Sequence, residues 1–260
     1  MDNVGQAQIA PVSVARDLKV GDLFAALAAG LRDFAAFPLF GLFFAAIYVG
    51  SGLFLAYAMA TWGEVAWLVP AAAGFPIVAP FAAVGLYEVS RRREAGLPMS
   101  WRSVLGALRG HGDDQIMSMG VIVFVAFSFW LILAHGIFAI FLAESGIGTE
   151  SLELFETPAG ITMLAVGSIV GAVVALAFYS ITVVSLPMLV DRQVDFLTAI
   201  IVSLAVMRSN TLVMLTWAVL IAVLLFVAML PVFLGLLVVL PALGHATWHL
   251  YRRSVGERGA

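Results

Sequence analysis

Cysteine is absent from all 260 residues, which excludes thiol catalysis, iron–sulfur clusters and disulfide or redox chemistry. Charge is scarce as well. Asp, Glu, Lys and Arg make up 11% of the chain, against about 25% in an average soluble domain. The 13 basic and 16 acidic residues leave a net charge of −3, and no nucleic-acid partner is expected. Catalytic motifs are missing too: there is no Gly-rich phosphate loop, no His-Glu-x-x-His, no Gly-x-Ser-x-Gly and no paired carboxylate inside an apolar run. No constellation names a reaction, so a non-enzymatic protein without catalytic, cofactor or metal residues is expected. What is abundant is apolar. Hydrophobic residues make up 63% of the chain and mean hydropathy is +1.07, the composition of a polytopic membrane protein.

Crossing a hydrocarbon core takes about 20 mostly apolar residues. Six stretches qualify, at roughly 38–60, 66–90, 116–142, 158–187, 210–230 and 232–251. The first begins after Pro38, too late for a cleaved leader, and no polar stretch suffices for a second, soluble domain. The expected organisation is a polar tail over 1–19, one membrane domain over 20–253 and a short tail over 254–260.

Basic residues set the orientation. Arg16, Lys19 and Arg32 precede the first span; Arg91, Arg92, Arg93, Arg102 and Arg109 lie between the second and third. Arg192 and Arg208 lie between the fourth and fifth, and Arg252, Arg253 and Arg258 follow the sixth. Six spans put all of them on one side. The opposite connections carry Glu64, Glu144, Glu150, Glu153 and Glu156 instead. Both termini are therefore expected in the cytoplasm. Twelve of the 13 basic residues are Arg and Ala is abundant, which fits a GC-rich bacterial genome and an inner-membrane location.

Three stretches on the basic side look alike. Each opens with a residue suited to N-capping, Asp22, Ser100 or Asp195. Apolar residues then follow at helical spacing: Leu23, Leu27, Leu31 and Phe34; Trp101, Val104, Leu105 and Leu108; Phe196, Ile200, Ile201 and Leu204. They read as amphipathic helices lying in the inner interface. The hairpin exits match as well. The run from Pro80 through Tyr87 to Arg91-Arg92 aligns without gaps on the run from Pro241 through Trp248 to Arg252-Arg253, and Pro187, Asp191 and Arg192 form a weaker middle copy. The expected fold is all-α: a bundle of six transmembrane helices with three interfacial helices, in three parallel repeats over roughly 20–93, 100–192 and 195–253.

These exits carry a resemblance. Val84-Gly85-Leu86-Tyr87 with Arg91-Arg92-Arg93, the segment Asp191 to Asp195, and the ending Gly244-His245-Ala246-Thr247-Trp248-His249-Leu250-Tyr251 resemble the uncharacterised bacterial membrane family DUF2189. The likeness covers roughly residues 20–253. The resemblance implies no established activity, but some members carry a cytochrome c oxidase subunit I label. A catalytic oxidase core, with about a dozen helices and six histidine ligands, does not fit six spans and the four histidines His111, His135, His245 and His249. By helical rise, His135 lies about 28 Å and His245 about 10 Å from the inner ends of their spans, too far apart to share a haem. The label fits an accessory or assembly role better.

The remaining candidates are local. His245 and His249 share a helix face beside Arg252 and Arg253, either as a metal or lipid-phosphate site or as a polar helix end. His135 sits deep in an apolar run, as a proton relay or as a neutral imidazole bonded to Tyr179 or Ser180. Glu88 lies within a turn of Arg91 and Arg92, the spacing of an interfacial ion pair. Gly167, Gly171 and Ala175 form a small-residue stripe for helix packing. Pro70, Pro76 and Pro80, with Gly74 and Gly85, predict a kinked second span. The leading functional expectation is a scaffold, accessory or assembly subunit in the bilayer, with a membrane complex as partner. A small transporter or lipid-binding protein is the alternative.

Overall fold

The computed structural model describes residues 12–62, 71, 83–107, 114–145 and 155–257. It is a helical bundle. In chain order the helices are α1 (Val20–Ala36), α2 (Pro38–Trp62), α3 (Val84–Glu94), α4 (Trp101–Gly106) and α5 (Gln115–Ser145). They continue with α6 (Pro158–Thr182), α7 (Ser185–Asp191), α8 (Phe196–Ser209), α9 (Thr211–Met229) and α10 (Leu236–Ser254). Two short strands, β1 (Val12–Val14) and β2 (Val255–Glu257), pair antiparallel with Ser13 opposite Gly256. Residues 12–19 and 254–257 are therefore part of the body rather than the tails expected, with Leu18 and Val255 buried. A three-residue strand is too short for its alternation to be read beforehand.

Among the described residues, four helical segments are long and apolar enough to cross a membrane: Pro38–Trp62, Gln115–Phe141, Pro158–Asp191 and Thr211–Met229. The few hydroxyls in them mostly turn back on their own helix. Ser51 donates to Ile47 O at 2.9 Å, Thr162 to Pro158 O at 2.8 Å and Thr216 to Leu212 O at 2.8 Å. Such bonds satisfy a polar group where no water is available. Of the expected span 66–90, Ala71 and residues 83–90 are described; the kink expected at Pro70, Pro76 and Pro80 lies outside the described residues.

The sixth expected span became the centre of the molecule. α10 packs against α1, α2, α3, α7 and α9, and every residue from Pro241 to Trp248 is buried. Its polar residues make it too hydrophilic to face lipid alone, so its neighbours enclose it. α1 lies directly on its backbone. A Cβ on Gly30 would sit 2.5 Å from Ala246 N and 2.6 Å from Ala242 O.

This contact corrects the expected face of α1. Leu23, Ala26, Gly30 and Asp33 point inward, while Phe24 and Leu31 are exposed. α8 behaves alike: Ala199, Val202, Ser203, Val206 and Met207 are buried, and Leu197 and Ile201 face outward. In α4, Val104 is buried, Trp101 and Leu105 are exposed, and Leu108 lies outside the described residues. Beside lipid, bulky apolar side chains gain little by turning inward, whereas small ones let helices approach closely.

Ser100 and Asp195 cap their helices, accepting from Ser103 N at 3.2 Å and Thr198 N at 2.8 Å. Asp22 does not. α1 starts earlier, with Lys19 as N-cap, and Asp22 sits at the third position, accepting from Lys19 N at 2.8 Å.

α1 breaks from α2 at Phe37, with φ −133° and ψ 58°. α8 breaks from α9 at Asn210, with φ −134° and ψ 39°. Residues 196–209 are thus a helix of their own, as expected. Pro38 disfavours helical backbone at the residue before it. Asn210 is held by its side chain, which accepts from Leu18 N at 3.2 Å and donates to Ala15 O at 2.7 Å. Removing it strips a buried peptide N–H of its partner, so Asn210→Ala is expected to cost about 2 kcal/mol. Limited proteolysis would show this as faster cleavage within residues 12–19; unchanged protection would contradict the contact.

Candidate functional site

The ends of α3, α7 and α10 pack together, and each carries arginine in or just after its last turn, where cations favour the helix dipole. Carboxylates from the same elements interleave with them. Glu88 accepts from Arg91 Nε at 2.7 Å and Nη2 at 2.9 Å, and from Arg92 Nη1 at 3.2 Å. Arg92 also closes the following turn onto Pro98 O at 2.7 Å. Asp191 accepts from Tyr251 Oη at 2.7 Å and Arg252 Nη1 at 3.1 Å. Tyr251 Oη in turn accepts from Arg192 Nε at 3.2 Å. Glu94 takes Arg252 Nε at 3.1 Å and Trp248 Nε1 at 3.0 Å. Arg253 reaches Asp17 at 3.0 Å and Asp22 at 3.5 Å. One ionic layer therefore ties three exits and the N-terminal segment together.

A second cluster lies where α1, α3 and α10 meet. Asp33, Ser90 and His245 are buried. Asp33 Oδ2 accepts from Ser90 Oγ at 2.5 Å and from His249 Nε2 at 2.8 Å, and Arg93 Nη1 bonds Asp33 Oδ1. Ser90 Oγ also lies 2.8 Å from His245 Nδ1. The hydroxyl has one proton, and the short contact to Asp33 takes it, so His245 Nδ1–H is the donor to Ser90. His245 Nε2 then carries no proton and is buried without a partner among the described residues. Burial pushes the Asp33 carboxyl up, but hydrogen bonds from His249 and Ser90, the His249 charge and Arg93 outweigh it and hold the group below its ordinary value.

His245 and His249 thus share a face, as their spacing requires, and the carboxylate missing from their own turn comes from α1. No group of three or more His, Asp or Glu among the described residues is placed to hold a metal ion. His135 lies half-buried on α5. Tyr179 Oη donates instead to Met214 O at 2.8 Å, and Ser180 Oγ to Leu176 O at 2.7 Å, so neither hydroxyl proton goes to His135. His111 lies outside the described residues. Of the small-residue stripe, Gly171 meets Trp130, whose ring would lie 2.8 Å from an added Cβ; Gly167 faces open space and Ala175 is exposed. The stripe therefore packs at one step.

Sequence reasoning missed Asp33, Ser90, Glu94 and Asp191 as cluster members. A signal for Asp33 was present: Ala26, Gly30 and Asp33 recur at i, i+4 and i+7, a small-residue face ending in a carboxylate.

No curated protein and no solved structure matches the chain. A family model does match, over residues 68–191. The match takes in the exit Val84 to Arg93 and stops at Asp191, leaving the terminal motif around His245 and Trp248 outside it. The likeness expected over 20–253 is thus found over the middle of the chain, and over those 124 residues the match is to DUF2189, a family described as predicted integral membrane protein.

Proposed function

We propose that this is a non-enzymatic, six-span protein of a bacterial inner membrane, with both termini cytoplasmic, acting as a scaffold or accessory subunit of a larger membrane complex. One observation carries the reading. The exit helices satisfy one another's charges in a single layer, while the most apolar stretch of 18 residues in the span Pro158–Asp191 has 6% of its residues buried, against 39% in Pro38–Trp62. A rigid core with one exposed helical arm is what a subunit needs to dock laterally on a partner. The threefold arrangement draws support from the matching breaks at Phe37 and Asn210 and from the meeting of three arginine-bearing exits.

Purification in mild detergent after crosslinking tests this. A membrane complex, first of all a respiratory one, is expected to co-purify, with any haem absorbance belonging to it and surviving His245→Ala and His249→Ala. Phospholipid alone would favour the lipid-binding alternative, for which an apolar groove lined by Ile47, Phe54 and Phe127 speaks. Cysteines placed singly at the exposed positions Arg16 and Glu156 should react with an impermeant thiol reagent from opposite sides of the membrane. Labelling of both from one side would end the six-span orientation.

A further inference from the structure

Nine of the ten described arginines sort into two groups. Arg91, Arg92, Arg93, Arg192, Arg252 and Arg253 each hold a carboxylate. Arg32, Arg102 and Arg208 are exposed and hold none among the described residues. These three fall one each on α1, α4 and α8, the three amphipathic helices. Arg16 and Lys19 are also exposed, but they precede α1 and lie on none of the three helices; the neighbouring Asp17 is held by Arg253.

Each of the three has apolar anchors beside it. Arg32 follows the exposed Leu31, on the helix that exposes Phe24. Arg102 lies between the exposed Trp101 and Leu105. Leu197, Ile201 and Arg208, at i, i+4 and i+11, share the outer face of α8, and both apolar residues are 58% exposed. No carboxylate on these helices is left to neutralise them. Asp22 is taken by Lys19 N and Arg253, Asp33 is buried in its cluster, and Asp195 caps α8. A guanidinium on an apolar-flanked interfacial helix lays its stem along the apolar surface and lifts its head to the headgroups, where it can grip a phosphate with two donors.

We propose that Arg32, Arg102 and Arg208 bind the phosphates of anionic phospholipids, so that the three helices gather an acidic lipid belt in the leaflet they occupy. This rests on reading α1, α4 and α8 as interfacial, which the test separates from the lipid preference. The full chain is reconstituted in mixed phosphatidylcholine–phosphatidylglycerol vesicles and extracted with its bound lipid. Wild type is expected to enrich phosphatidylglycerol over the bulk by about fivefold, the preference one arginine has for an anionic surface. The triple variant Arg32→Gln, Arg102→Gln, Arg208→Gln should lose that enrichment, and Arg16→Gln should keep it. Equal enrichment in the triple variant overturns the proposal. So does inorganic phosphate retained by wild type in pure phosphatidylcholine, since the site would then take the free ion. Because the chain has no cysteine, a spin label at Leu31→Cys or Leu197→Cys reports helix depth independently. A label at headgroup depth without lipid enrichment overturns the lipid belt alone; a label at mid-bilayer or in bulk water overturns the interfacial placement.

Discussion

Gly30→Ala is expected to cost about 3 kcal/mol, at the upper end for overpacking, because nothing around the added methyl group can yield. The atoms it meets are backbone: Ala246 N at 2.5 Å, Ala242 O at 2.6 Å and Ala246 Cα at 2.9 Å. A clash with a flexible side chain is relieved by rotation, but a helix backbone moves only as a whole. α1 would have to lift off α10, taking Leu23, Ala26 and Asp33 with it. In a chain of this size the loss corresponds to a fall in Tm of roughly 6–12 °C, measured on purified protein in mild detergent. Gly167→Ala is the matched control. It adds the same methyl group to a helix where nothing lies within 4 Å, and Tm should hold. Equal behaviour of the two variants would mean that α1 does not lie on α10.

Asp33→Ala should be at least as damaging, by about 3–5 kcal/mol, since it leaves buried partners without their acceptor. Ser90 loses the oxygen 2.5 Å away and His249 the one 2.8 Å away, and Arg93 loses its carboxylate. The dependence on acidity follows from the same contacts. The Asp33 carboxyl is held below its ordinary value of 3.8, so the folded state favours the ionised form. Its stabilisation is complete above that ordinary value and is lost as the pH falls through the lower, folded one. Wild type should therefore lose thermal stability below about pH 4, while Asp33→Asn, with no carboxylate to protonate, should change less over the same range. Parallel acid losses in both proteins would assign the effect to other carboxylates.

Helical spacing and apolar length were enough to find α1, α2, α5, α6, α8 and α9, because each property is local. Which face turns inward could not be read from the apolar spacing. For α1 and α8 the bulky residues marked the obvious stripe, but Gly30 and Ser203 mark the packed one, since lipid competes for Leu and Ile but not for a close backbone approach. The pairing of Glu88 with Arg91 and Arg92 could be anticipated from spacing along one helix. The Asp33–Ser90–His245 contacts could not, because they join residues 57 and 155 positions apart. His249 looked like a histidine without a carboxylate for the same reason.

The central place of α10 bears on how the molecule is made. Of the described helices it is the last to leave the ribosome, yet α1, α2, α3, α7 and α9 all pack on it. The earlier helices must wait in the bilayer as partly naked segments, with Gly30 facing no neighbour and Asp33 lacking His249. During that interval they are the part of the chain open to membrane proteases and insertion chaperones. Once residues 236–254 pack into place, β2 forms beside β1 and the first described segment is fastened to the last. Truncation just before Leu236 should thus give a product that reaches the membrane normally and is then degraded, separating insertion from assembly as two distinct stages of biogenesis.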